Sequence, residues 1–178
     1  MRSLSPGLAA LGTGAMLCAL SGCAGDAGKG KIVQTSATRE ATTLPPLKAN
    51  LPELPDGAGK MDDDAPEELI ATHSGLYYRI LRKGGRHHPK SYDTVLAHYR
   101  GWLDDGHQFD SSYDRGKPTE FPLNGVVPGW TEGLQLIGEG GMIELEVPPR
   151  LGYGPHGKPP TIPPNAKLHF VIELVKIK

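Results

Sequence analysis

Gly125-Val126-Val127-Pro128-Gly129-Trp130-Thr131-Glu132-Gly133-Leu134 is the stretch whose reading decides the fold. Val126 and Val127 are an extended β-branched pair. Pro128 suits a first helical turn, because its missing N–H is not needed there and its fixed φ matches a helix. Trp130, Leu134 and Ile137 then recur at helical spacing and share one face. Gly138, Gly140 and Gly141 stop the helix. An indole in the first turn of a short helix, beside two valines, is placed to line the bottom of an apolar pocket. Taken alone, a tryptophan is more often plain core, so its neighbours must decide.

On both sides of this stretch the chain alternates like β-structure. Leu76 to Arg82 is rich in β-formers and ends at Lys83-Gly84-Gly85. From Thr94 to Leu103, Val95, Ala97, Tyr99 and Gly101 share one face, and Leu96, His98, Arg100 and Trp102 the other. Asp104-Asp105-Gly106 makes a turn into a return strand beginning at His107-Gln108-Phe109. Thr119 to Leu123 reads as a further short strand. From Met142 to Val147, Ile143, Leu145 and Val147 point inward and Glu144 and Glu146 outward. Lys167 to Lys178 alternates again, with Leu168, Phe170, Ile172 and Leu174 together. Six antiparallel strands and one short helix make an α+β fold, with the helix lying across one face of a curved sheet.

Several separated pieces can be set around that helix: His98-Tyr99, Asp105-Gly106, Phe109-Asp110-Ser111-Ser112, Val126 to Glu132, Tyr153-Gly154 and Ile162-Pro163-Pro164-Asn165-Ala166. In this order and spacing they strongly resemble the FKBP family of peptidyl-prolyl cis-trans isomerases, the binding proteins for tacrolimus and rapamycin. The resemblance covers about Leu76 to Lys178. It implies an antiparallel five- to six-stranded half-barrel wrapped around one short helix, with the pocket between them. It implies a catalytic set of Tyr99, Phe109, Asp110, Trp130, Tyr153 and Phe170, and a substrate-binding set of Val126, Val127 and Ile162. Trp130 would be the floor, Tyr99, Phe109 and Phe170 the walls, and Tyr153 and the Ile162 region the rim. Asp110 would sit at the pocket edge and pair with Arg115. The Tyr153 hydroxyl and the Ile162 backbone N–H are the donors that family analogy offers to a substrate carbonyl.

The sequence departs from the family at three places. The segment between Phe121 and Trp130 is shorter than in the small eukaryotic members and resembles the bacterial periplasmic ones. Thr119 stands where those eukaryotic members have an aromatic rim residue, and Lys158 and Thr161 replace common loop residues. These departures bear on drug affinity and substrate preference, not on the reaction.

The implied reaction is rotation about X–Pro bonds, which needs neither metal nor cofactor. The seven histidines show no ligand spacing of the H-E-x-x-H kind, and His87-His88 are adjacent on one stretch. No phosphate-binding glycine loop and no G-x-S-x-G occurs. A net charge of -1 points away from nucleic acid. Two functions from different classes stay open: a prolyl isomerase acting on unfolded or exported proline-containing polypeptides, or a non-catalytic binding module or chaperone using the same groove.

Glycine (24) and proline (17) are abundant in the 178 residues, and every Trp, Tyr and Phe lies at or after Tyr77. The core therefore belongs to the C-terminal part. Met1-Arg2 is followed by an uncharged run from Leu8 to Leu20, too short to span a bilayer and fit for a secretory signal. Leu20-Ser21-Gly22-Cys23 resembles the lipobox of bacterial lipoproteins, implying cleavage before Cys23 and lipid on that residue. Ala24, which is not acidic, fits outer-membrane sorting in such proteins. Cys18 would leave with the signal, so the domain has no thiol chemistry.

From Ala24 to about Pro66 the chain is polar, with proline-punctuated pieces such as Leu51-Pro52-Glu53-Leu54-Pro55. It reads as a flexible tether. The expected division is a signal peptide (1–22), a lipidated Cys23 with its linker (23–66), and an isomerase domain (67–178). No long apolar helical repeat precedes the domain, which favours a monomer. The expected location is the bacterial cell envelope, lipid-anchored at the outer membrane and facing the periplasm.

Overall fold

The computed structural model describes residues 44–178. The signal-peptide and Cys23 expectations lie outside those residues. Nine elements follow in order: β1 (Leu47–Lys48), β2 (Glu68–Ala71), β3 (Tyr77–Arg82), β4 (Thr94–Leu103), β5 (Gln108–Ser111), β6 (Thr119–Pro122), α1 (Pro128–Leu134), β7 (Met142–Val147) and β8 (Leu168–Ile177). The six strands expected from alternation are β3 to β8. Short 3-10 turns follow β6 (Leu123–Gly125) and β7 (Pro149–Leu151 and Gly154–His156).

The strands form one open antiparallel sheet in the order β1-β2-β3-β7-β8-β4-β5, with β6 also pairing β4. The two ten-residue strands, β4 and β8, run together along most of their length, from Val95↔Ile177 to Leu103↔Leu168. Their register shifts between Leu96 and Ala97, and β4 shifts against β5 between Gly101 and Trp102. Such irregularities bend a sheet. The first half of β4 carries β6 and the second half β5.

The inward residues of β4 (Val95, Ala97, Tyr99, Leu103), β7 (Ile143, Leu145, Val147) and β8 (Leu168, Phe170, Ile172, Leu174) form the core with Trp130, Leu134 and Ile137. Helix α1 is seven residues long, with Pro128 in its first turn as its chemistry favours. It stops at Leu134, one turn short of the spacing read from the sequence; Ile137 follows in a turn and is still fully buried. The helix presses close to β7. A Cβ on Gly133 would stand 2.7 Å from Leu145 Cδ2, so only glycine permits this approach.

Residues 44–66, read from the sequence as part of a tether, make contacts with the domain in this structure as a strap. β1 continues the sheet through Leu47↔Leu69 and Lys48↔Glu68. Leu54, Ala58 and Met61 cover Leu81, Met142 and Val171 on the face opposite the helix. The Asp62 N–H donates to Leu81 O at 2.8 Å, and Arg82 Nη1 to Lys60 O at 2.8 Å. Arg79, 1% exposed, is the main peg: it donates to Glu144, to Ala49 O (2.8 Å), to Glu67 O (2.7 Å) and to Asn50 O. A sequence that is polar and proline-rich can still order where buried donors await its carbonyls.

Glu144 and Glu146 show what outward means here. Both point away from the core, as alternation requires, yet both are buried, at 6% and 8% exposure. Glu144 meets Arg79, while Glu146 meets Lys167 at 3.2 Å. Burial pushes the Glu144 carboxyl above its ordinary value, with Arg79 pulling the other way.

Candidate functional site

One face of the sheet, α1 and the loops after β6 and β7 line a cavity of about 400 Å³. It is lined by Tyr99 from β4, Phe109 and Asp110 from β5, Phe121 from β6, Gly125, Val126 and Val127 from the stretch before the helix, Trp130 from α1, Tyr153 and Lys158 from the loop after β7, and Phe170 from β8. Eight of the nine residues named from the sequence therefore meet here.

The floor is an aromatic nest. Trp130, 4% exposed, is met edge-on by three rings: Tyr99 at 5.2 Å, Phe121 at 5.3 Å and Phe170 at 5.3 Å between centroids, with interplanar angles of 77–84°. Phe109 stands edge-on to Phe170 at 5.5 Å. T-shaped pairing satisfies ring quadrupoles and holds each ring in place. Gly101 on β4 makes room for this wall. A Cβ there would stand 2.6 Å from Phe109 Cζ and 2.8 Å from Phe170 Cε1.

Phe121 was not singled out from the sequence. The signal was present, since Thr119, Phe121 and Leu123 alternate with Glu120 and Pro122. Its pairing with Val95 brings the ring beside Tyr99 and Trp130.

Ile162 is the residue the structure places differently. It is buried (3% exposed) in the core and is not on the cavity lining. Its N–H donates to Lys158 O at 2.9 Å, while the Lys158 N–H donates to Ile162 O at 2.8 Å. The Ile162 N–H is thus spent on a loop bridge and is not a free donor for a substrate. Among the described residues, the Val127 N–H has no backbone partner: Val127 is the N-cap of α1, where no helical carbonyl precedes it.

One polar cluster occupies the rim. The Tyr99 hydroxyl donates to Asp110 Oδ2 at 2.5 Å. Arg115 donates to Asp110 Oδ1 at 2.5 Å, to the Tyr99 hydroxyl at 2.8 Å and to Thr119 Oγ1 at 3.4 Å. The Asp110–Arg115 pair expected from the family is therefore present. Burial opposes the charge on Asp110, but the hydrogen bonds from Tyr99 and Arg115 and the guanidinium charge outweigh it and hold the carboxyl below its ordinary 3.8. Burial and the bond to Asp110 push the Tyr99 hydroxyl up from 10.0 to about 12. Behind Tyr99, the Ser112 hydroxyl accepts the Tyr99 N–H at 2.8 Å and meets His98 Nδ1 at 3.0 Å.

These shifts set a pH prediction. The depressed Asp110 pKa contributes stability that is present above 3.8 and lost as pH falls through the folded value. The raised Tyr99 pKa works at the other end: its contribution is present below 10.0 and lost as pH rises from there towards about 12. Between roughly pH 6 and 9 neither group titrates. Activity of the site should therefore be flat there, within about twofold. A bell-shaped kcat/KM profile centred near neutrality would instead put a titrating group into the reaction.

Among the described residues, no group of three or more His, Cys, Asp or Glu side chains is arranged to hold a metal ion. Nothing on the lining is a nucleophile activated by an adjacent base. What the arrangement offers is an aromatic box with polar groups at its mouth.

Comparison with known proteins gives a consistent set of relatives. Residues 85–175 match the family described as FKBP-type peptidyl-prolyl cis-trans isomerase. The chain is 50% identical over 115 residues to the FKBP-type peptidyl-prolyl cis-trans isomerase FkpA of Escherichia coli K12, covering 64% of this chain and 42% of that one. The crystal structure of the Escherichia coli FkpA superposes with a TM-score of 0.60 at 48% identity, over 62% of this chain and 51% of that one. A probable FKBP-type peptidyl-prolyl cis-trans isomerase of Haemophilus influenzae is 40% identical over 153 residues, 83% of this chain and 64% of its own length. The structure titled AtFKBP13 matches with a TM-score of 0.56 and 35% identity, over 62% of this chain and 98% of that one. The chain thus spans from about two fifths to just under two thirds of the two bacterial relatives.

Proposed function

Since the chain belongs to the FKBP-type peptidyl-prolyl cis-trans isomerase family, we propose that it accelerates X–Pro rotation in proline-containing polypeptides, using Tyr99, Phe109, Asp110, Trp130, Tyr153 and Phe170. The observation that carries this reading is the aromatic cavity floored by Trp130. X–Pro rotation crosses a barrier of about 18–20 kcal/mol and takes tens to hundreds of seconds unaided. The planar amide is held by resonance that places charge on oxygen and nitrogen. The twisted transition state loses that resonance and part of its dipole. A dry aromatic box therefore disfavours the planar form relative to the twisted one. Trp130 receives the proline ring, while Val126 and Val127 flank it. The Val127 N–H and the Tyr153 hydroxyl are the donors offered to the substrate carbonyl. Asp110 carries no proton through the reaction; it fixes Tyr99 and the loop holding Arg115.

A protease-coupled assay on a Leu-Pro peptide tests the reading. Turnover of about 100–1000 per second would require roughly 5–7 kcal/mol of selective stabilisation, within reach of enclosure and desolvation. Tight peptide binding with no rate enhancement would replace it with a binding module or chaperone. Tacrolimus, the ligand that gives the family its name, is expected to compete for the same cavity.

The cellular setting is part of the same proposal: a monomer held by lipid on Cys23 at the envelope, outer membrane facing the periplasm, acting on exported clients. The sequence Leu20-Ser21-Gly22-Cys23 supports it. Cys23→Ala should move the protein from the membrane to the soluble fraction and leave peptide turnover intact. A wild-type protein that is soluble and unlipidated by mass spectrometry would sink the anchor.

A further inference from the structure

Asp110 and Lys158 are the lining residues that carry a formal charge at neutral pH. Asp110 is matched at 2.5 Å by Arg115. Lys158 has no carboxylate within salt-bridge distance among the described residues; its ammonium lies over the Tyr153 ring, 5.6 Å from the centroid. The mouth therefore carries one uncompensated positive charge.

The backbone fixes where that side chain starts. Lys158 is locked to Ile162 by two hydrogen bonds of 2.8 and 2.9 Å, and its carbonyl also accepts the Thr161 N–H at 3.2 Å. Tyr153, beneath the ammonium, is itself on the lining. The amide that rotates in the cavity uses the carbonyl of the residue before proline. With that carbonyl on the Tyr153 hydroxyl, as the isomerase reading has it, the side chain of this residue lies beside Tyr153 and Lys158.

We infer that Lys158 is a specificity-determining residue that admits an acidic side chain immediately before the proline. This rests on the isomerase reading and sharpens its substrate class. A carboxylate brought to an apolar rim is normally penalised by lost hydration. An ammonium at the same rim offsets part of that penalty and disfavours a basic side chain there. Leu-Pro remains the best substrate, because it needs no offset; Lys158 narrows the gap to Glu-Pro and widens the gap to Lys-Pro.

The test uses the full chain and three peptides that differ only in Leu, Glu or Lys before proline. Each kcat/KM is expressed relative to Leu-Pro in the same variant. Lys158→Met should lower the Glu-Pro ratio about threefold, and Lys158→Glu about five- to tenfold, with the Lys-Pro ratio rising in both. The spread should shrink towards unity in about 1 M salt, where the screening length falls to about 3 Å. Ratios that stay fixed, or that move in the same direction for Glu-Pro and Lys-Pro, overturn the role of Lys158 while Leu-Pro turnover upholds the enzyme. A wild-type protein inactive on all three peptides overturns the isomerase reading, and this inference with it.

Discussion

Phe109→Ala is expected to cut kcat/KM for a Leu-Pro peptide about 10- to 100-fold, a loss of roughly 1.4–2.8 kcal/mol in transition-state stabilisation. The ring is one wall of the cavity, edge-on to Phe170 at 5.5 Å and lying over Gly101. Gly101 has no side chain with which to close the gap, so water enters where the amide must be dry. Part of the damage will be structural. Removing a fully buried ring costs about 3–5 kcal/mol; Phe109 is only half-buried, and roughly 2 is the expectation here. Circular dichroism at the assay temperature must show a folded variant before kinetics are read.

Asp110→Asn supplies the contrast. It keeps the shape of the rim and removes the charge: the amide oxygen can still accept from Arg115, while the amide NH2 faces the Tyr99 hydroxyl, which must accept there instead of donating. Activity should fall only severalfold, about 2- to 5-fold. The order of the two effects is the discriminating measurement. If Asp110→Asn abolishes turnover while folded Phe109→Ala retains it, catalysis depends on charge and the desolvation account is wrong.

Arg79→Leu is expected to destabilise the domain by about 3–5 kcal/mol, the usual cost of stranding one partner of a buried ion pair. Arg79 and Glu144 are both almost completely buried. Without the guanidinium, Glu144 loses its partner and must take up a proton. The carbonyls of Ala49, Asn50 and Glu67 lose their donor at the same time. The double variant Arg79→Leu/Glu144→Leu should recover part of the loss, because two apolar side chains of similar volume can replace a buried pair. It should not restore the strap, whose carbonyls stay unpaired. Denaturant unfolding measures the first effect, and faster proteolysis between residues 47 and 66 the second. A stability change below about 1 kcal/mol for Arg79→Leu would show that the strap and its peg contribute little. The same reasoning makes a chain begun at Glu67 a poor minimal domain, since it lacks Ala49, Asn50 and the cover over Leu81 and Met142.

How much of this was legible beforehand depends on the range of the interactions involved. The alternation of β4, β7 and β8 and the Pro128-led helix are local patterns, and local stereochemistry alone orients their side chains. From those patterns the sequence determined the strands β3 to β8, the helix and the inward faces. The order of its motifs pointed to Tyr99, Phe109, Asp110, Val126, Val127, Trp130, Tyr153, Ile162 and Phe170 as one cluster, and all but Ile162 line the cavity. Tertiary structure decided the rest. Residues 44–66 carry no periodic signal, and they order only because Arg79, Arg82 and an apolar patch on the outer face receive them. Glu144 and Glu146 alternate as outward residues, but whether outward means solvent depends on what lies on top of the sheet. The Ile162 N–H is taken by a residue four positions back in its own loop, a closure that no residue spacing reveals. Lys158 was legible as a loop residue that departs from the family and bears on substrate preference, but only the fold sets it over Tyr153 at the mouth of the cavity, where it has no carboxylate partner among the described residues. Periodicity fixes which way a side chain points; only the packed chain fixes what it meets.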